Sequence, residues 1–125
     1  MRQSSGVMHM VALGSLGFLF ALPASAQDAA AGKQVFTQCS VCHSTDGTNN
    51  VGPSLKGIAG RKAGTFAGFH YSHAMKAANI TWSDQTLDAY IANPQKVVPG
   101  NVMPFSGLAA DKQRADLIAY LKTLK

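Results

Sequence analysis

The stretch CSVCHSTDG, residues 39–47, holds both cysteines of this 125-residue chain, Cys39 and Cys42, with His43 directly after the second. Four chemistries use thiols at this spacing. A structural zinc ion needs four ligands; His70 and His73 could complete a set, but His43 would then be idle. A thioredoxin-like redox pair opens a helix that follows a strand, and no stretch of this chain alternates as a strand. A disulfide would close a very short loop, for a small entropic return. The fourth chemistry is the C-x-x-C-H attachment motif for c-type haem. It alone uses all three residues: both thiols add to the porphyrin vinyl groups as thioethers, and His43 is carried beneath the iron as an axial ligand.

Upstream, residues 1–26 have the form of a secretory leader. Arg2 and the amino terminus precede the apolar run VALGSLGFLFAL, Pro23 breaks it, and Ala24-Ser25-Ala26 satisfies the small-x-small cleavage rule. The run has 12 residues, short of the roughly 20 that a membrane-spanning helix needs. Cleavage after Ala26 leaves residues 27–125 as one domain with net charge +4 and no glutamate. Export predicts an oxidising, periplasmic setting, where paired thiols close unless something else consumes them. The basic balance suits acidic protein partners or brief contact with anionic membranes. The lysines are scattered singly, which gives no nucleic-acid footprint.

Downstream, the pattern predicts an all-α domain with long loops. One helix covers about 28–38, with Asp28 as N-cap and Val35 and Phe36 as its apolar side. A second starts in TWSDQTLDAYIANP, capped by Ser83, with Leu87, Tyr90 and Ile91 as a buried stripe and Pro94 at its exit. The third, ADKQRADLIAYLKTLK, places Leu117, Ile118, Leu121 and Leu124 on one face. The glycine- and proline-rich loops between them bury little apolar area of their own, so a large apolar cofactor would supply the missing core.

A haem iron has a second axial position. Met75, Met103, His70 and His73 are the candidates, apart from lysines. Met75 lies in the helix-like run SHAMKAAN, where core packing is the ordinary use of methionine. Met103 lies in VPGNVMPF, where the flanking prolines hold the chain extended and present one thioether. Met103 is the preferred ligand. Met/His ligation fills both axial sites and leaves one-electron exchange as the chemistry.

Over nearly all of residues 32–122 the chain resembles class I cytochrome c, in its mitochondrial-type and purple-bacterial soluble forms. The stretches that carry the likeness are GKQVFTQCSVCH, VGPSLKG, GRKAGT, GFHYS, ITW, LDAYIANP and VPGNVMPF. The resemblance implies three to five helices and long loops wrapped around one covalent haem c. It implies that Gly32 and Phe36 pack on the C-terminal helix and that the Pro53 carbonyl orients His43. Arg61, Tyr71 and Trp82 would serve the haem propionates, Tyr90 would reach the sulfur of Met103, and His43 and Met103 would hold the iron.

The implied activity is electron carriage rather than enzyme catalysis. A monomer is expected to exchange electrons with redox proteins: a membrane cytochrome complex, terminal oxidase, reaction centre or dehydrogenase. Docking would fall at the haem edge near Lys33 and Lys96. Several positions depart from the family pattern. Asn101 stands where threonine is common, and Met75 where polar residues are common. Gln38, Gln95 and Val102 replace basic residues of mitochondrial relatives, which weakens electrostatic steering, and the loop STDGTNN is shorter.

If haem supplies the core, the double variant Cys39→Ala/Cys42→Ala should yield little folded protein. Well-dispersed NMR signals from that haem-free variant would contradict the prediction.

Overall fold

The computed structural model describes residues 27–125, together with Gly14 and residues 17–20. The expected leader otherwise lies outside the described residues. Within it Phe18, Leu19 and Phe20 are exposed. No helix among the described residues is long and apolar enough to cross a membrane.

Asp28 starts the first helix, α1 (Ala29–Val35), where its carboxylate accepts the N–H groups of Ala30 at 2.9 Å and Ala31 at 3.1 Å. The chain then tightens into a 3₁₀ turn, Phe36–Gln38, which delivers it to Cys39. A long loop follows to α2 (His73–Ala77), capped by Ser72. Helix α3 (Asp84–Ala92) begins with a capping box: Ser83 accepts the Thr86 N–H and Thr86 Oγ1 accepts the Ser83 N–H. Helix α5 (Asp111–Leu121) closes the fold. One isolated antiparallel bridge joins Lys62 and Thr81, and no strand is found among the described residues.

Pro94 marks the exit of α3 as expected, but it also opens a further short helix, α4 (Pro94–Val97), which the sequence reading did not foresee. The physical reason is positional. A first-turn proline loses no hydrogen bond and is already set at helical φ, and Asn93 accepts the Lys96 N–H as N-cap.

The largest helix–helix contact joins α1 to α5, the two ends of the domain. Gly32 makes it possible. A Cβ there would lie 1.9 Å from the backbone oxygen of Asp116 and 2.9 Å from Cβ of Tyr120, so only glycine admits so close a crossing. The rings of Phe36 and Tyr120 meet beside it at 5.2 Å. The Asp116 carboxylate reaches across to accept the Asp28 N–H at 2.9 Å. Leu117, Ile118 and Leu121 are buried, whereas Leu124 and Ile91 are only half-buried, at the core's margin. Buried Arg114 ties α5 to Asp88 of α3 and to the carbonyls of Leu108 and Ala109, each at 2.8 Å.

Gly32→Ala should force the terminal helices apart and cost about 1–3 kcal/mol of stability, read as a lower denaturant midpoint with little change in slope. An unchanged midpoint would show that the crossing relaxes freely.

Candidate cofactor site

The winding that ends α1 continues through the cysteines. Cys42 N–H and His43 N–H both donate to the Cys39 carbonyl, at 3.1 and 2.9 Å. Cys39 and Cys42 are half-buried free thiols that line one open cavity of about 260 Å³. Burial, then the neighbouring Cys42, pushes the Cys39 thiol up. A thiol held protonated is poorly suited to disulfide exchange. Among the described residues no group of three His, Cys, Asp or Glu side chains could hold a metal ion. His70 and His73 therefore complete no zinc site with the cysteines.

His43 is fixed from two sides. Its Nδ1–H donates to the Pro53 carbonyl at 2.7 Å. Its ring lies so close to Gly52 that a Cβ there would come within 2.5 Å of Cε1 and 2.7 Å of Nδ1. Burial, with the nearby Arg61 charge, lowers the pKa of the imidazole even though the Pro53 bond acts the other way. The ring is thus neutral at neutral pH, with Nδ1 engaged and the Nε2 lone pair free, the state a metal ligand requires. The loop that carries Pro53 is itself held. Fully buried Ser54 accepts the N–H groups of Gly47 at 3.0 Å and Lys56 at 3.2 Å, while Asn49 accepts the Ser54 N–H at 3.1 Å.

Both candidate methionines, Met75 and Met103, line the same cavity. The Tyr90 hydroxyl donates to Met103 Sδ at 3.9 Å, and burial pushes this phenol up to about 12, so it remains a donor. Trp82 packs on Tyr90 with ring centroids 5.0 Å apart. Tyr71, also on the wall, accepts the Phe66 N–H at 3.1 Å and keeps its own hydroxyl hydrogen to donate. Arg61 lines the wall with each terminal nitrogen on a carbonyl: Nη1 on Lys56 at 2.8 Å and Nη2 on Ser54 at 3.0 Å. Its guanidinium also stacks over Phe66 at 4.6 Å. Asn101 contributes to the wall too, with its amide turned to the protein backbone at Val98 and Met103.

Of the buried core side chains among the described residues, Ile58, Trp82, Leu87, Tyr90, Leu117 and Leu121 line this cavity. The helices thus turn their apolar faces onto the cavity as well as onto each other. Two thiols, a neutral imidazole and thioethers within apolar walls form a donor set that fits a covalently held haem.

The chain matches the sequence model of the cytochrome c family over residues 29–125. It is 49% identical over 102 residues to cytochrome c2 of Blastochloris viridis, covering 80% of each chain. It is 51% identical over 98 residues to cytochrome c of Tetrahymena pyriformis, covering 78% of this chain and 89% of that one. Among solved structures, cytochrome cH from Methylobacterium extorquens superposes with a TM-score of 0.75 at 45% identity, covering 77% of this chain and 98% of the other. This chain belongs to the class I cytochrome c family, all-α haem proteins that carry electrons. Its cofactor is haem c with its iron, bound covalently.

Sequence reasoning passed over Gly52, Ser54 and Asn49. The Gly-Pro pair in VGPSLKG was the available signal for the first of these, since it puts a residue without a side chain next to the carbonyl that orients His43.

Gly52→Ala should displace the imidazole and lengthen its bond to Pro53. In the haem-loaded protein the His43 ring NMR resonances should shift and the melting temperature should fall by several degrees, matching about 1–3 kcal/mol. Native shifts and melting would refute the clamp.

Proposed function

We propose that this chain is an exported, periplasmic one-electron carrier whose haem iron is held by His43 and Met103, with Cys39 and Cys42 as the thioether anchors. The observation that carries the reading is the His43 ring, braced by Gly52 and Pro53, in one cavity with both thiols and with a Met103 thioether that already accepts the Tyr90 hydroxyl. The haem supplies reversible one-electron exchange at its iron.

The protein's own residues do the rest. The Pro53 oxygen sets the ring orientation of His43 and strengthens it as a ligand. The Tyr90 hydroxyl steadies the Met103 sulfur and, as a donor, tempers its electron density. Tyr71, Trp82 and Arg61, all on the cavity wall, would serve buried propionates, whose charge would be costly without donors. Held by both His43 and Met103, the iron would offer no open position for substrate chemistry, so the chain would act as a carrier and not as an enzyme.

Removal of residues 1–26 would release residues 27–125 as a monomer. Lys33 and Lys96 are exposed and form no ion pair among the described residues, so they are available to an acidic redox partner near the haem edge. Val51 and Val102, on the cavity wall, are 74% and 76% exposed and would make the encounter partly apolar.

The visible spectrum tests this reading. The purified protein should be red, low-spin when reduced, indifferent to carbon monoxide at neutral pH, and should show a weak sulfur–iron band when oxidised. Met103→Ala should abolish that band, admit carbon monoxide and lower the midpoint potential. An unchanged oxidised spectrum in the variant would remove Met103 from the iron.

A further inference from the structure

After α4 the chain turns at residues 98–100 and then runs on through Met103 outside any helix or strand. Something must hold it, because a loop of this kind otherwise samples many conformations. Two amide side chains do so. Gln95, in the first turn of α4, grips the loop at both ends of its amide: Nε2 donates to the Asn101 carbonyl at 2.9 Å, and Oε1 accepts the Gly100 N–H at 3.2 Å. Gly100 has φ +83° there, so the bond sits on a left-handed turn that suits glycine.

Asn101, 7% exposed, carries the restraint onward. Its Nδ2 donates to the Val98 carbonyl at 2.9 Å, and its Oδ1 accepts the Met103 N–H at 3.0 Å. The backbone of the methionine is thus tied through one side chain to the end of α4, and through a second to its beginning. Each amide uses both its donor and its acceptor, which a hydrocarbon cannot copy and a lysine copies only in part.

We infer that Asn101 and Gln95 are positioning residues that hold the Met103 backbone so that its thioether stays on the iron. The inference rests on the reading of Met103 as axial ligand. It gives a role to two residues that depart from the family pattern. Threonine at position 101 would make the same turn with a single hydroxyl, more weakly. A basic residue at position 95 could keep the donor to Asn101 but would lose the acceptor for Gly100.

Exogenous imidazole is the probe, titrated into oxidised, haem-loaded protein, because it binds iron only after the methionine leaves. Asn101→Ala should bind imidazole about tenfold more tightly than the unsubstituted protein, the scale set by losing the Met103 and Val98 bonds together. Gln95→Leu should bind it about threefold more tightly, since its bonds are nearer solvent, and Asn101→Thr should recover most of the original affinity. The sulfur–iron band should persist in all of them without imidazole. If the melting temperature falls while imidazole affinity stays unchanged, the two amides merely support the fold and the inference is overturned. If Asn101→Ala does not fold, Gln95→Leu decides by the same reading. Absence of the sulfur–iron band in the unsubstituted protein would instead sink the ligand assignment itself, and the inference with it.

Discussion

One backbone oxygen sets the terms for the site. The Pro53 carbonyl takes the Nδ1 hydrogen of His43 and thereby fixes which nitrogen is free and which way the ring faces, while burial, against the pull of that bond, lowers the ring's pKa. Proline carries no N–H of its own to satisfy, so the residue can sit in an irregular loop with its carbonyl committed elsewhere. Everything around it serves that contact. Gly52 leaves room for the ring, Ser54 and Asn49 stiffen the loop, and the winding after α1 delivers His43 to the carbonyl. The walls are built on a different principle. Apolar faces from α3 and α5 line a cavity whose buried residues are also the core, so the cofactor and the fold depend on the same side chains.

Much of this was legible in the chain. The C-x-x-C-H spacing named the chemistry before any fold was considered, because two thiols and an imidazole within five positions leave few uses. Asp28 and Ser83 announced two helix starts, and the 3.6-residue periodicity of Leu117, Ile118 and Leu121 gave the last helix. These are local signals, in which the residue and its consequence lie within a turn of each other. Helix α4 was lost because Pro94 can end one helix and begin the next, and only the geometry of Asn93 distinguishes the two roles.

The site's supporting contacts were less legible, for a related reason. Ser54, Asn49 and Gln95 are ordinary polar residues whose importance comes from which backbone group happens to lie within reach. That depends on loop paths no periodicity records. Asn101 was noticed only as a departure from a family pattern, whereas its amide turns inward to the backbone. Arg61 is a mixed case. The resemblance implied a contact with a haem propionate; Arg61 stands on the cavity wall, with both its terminal nitrogens committed to carbonyls.

The interlock at Gly32 has a consequence for how the molecule comes into being. Helix α1 has seven residues, too few to persist alone in water, and its docking surface is the last helix of the chain, with the Asp28–Asp116 bond spanning 88 positions. The first helix of the domain therefore waits for nearly the last residues of the chain before it has anything to fold against. Until α5 has been made this crossing cannot close, so the fold is sealed at the one point where its two ends meet.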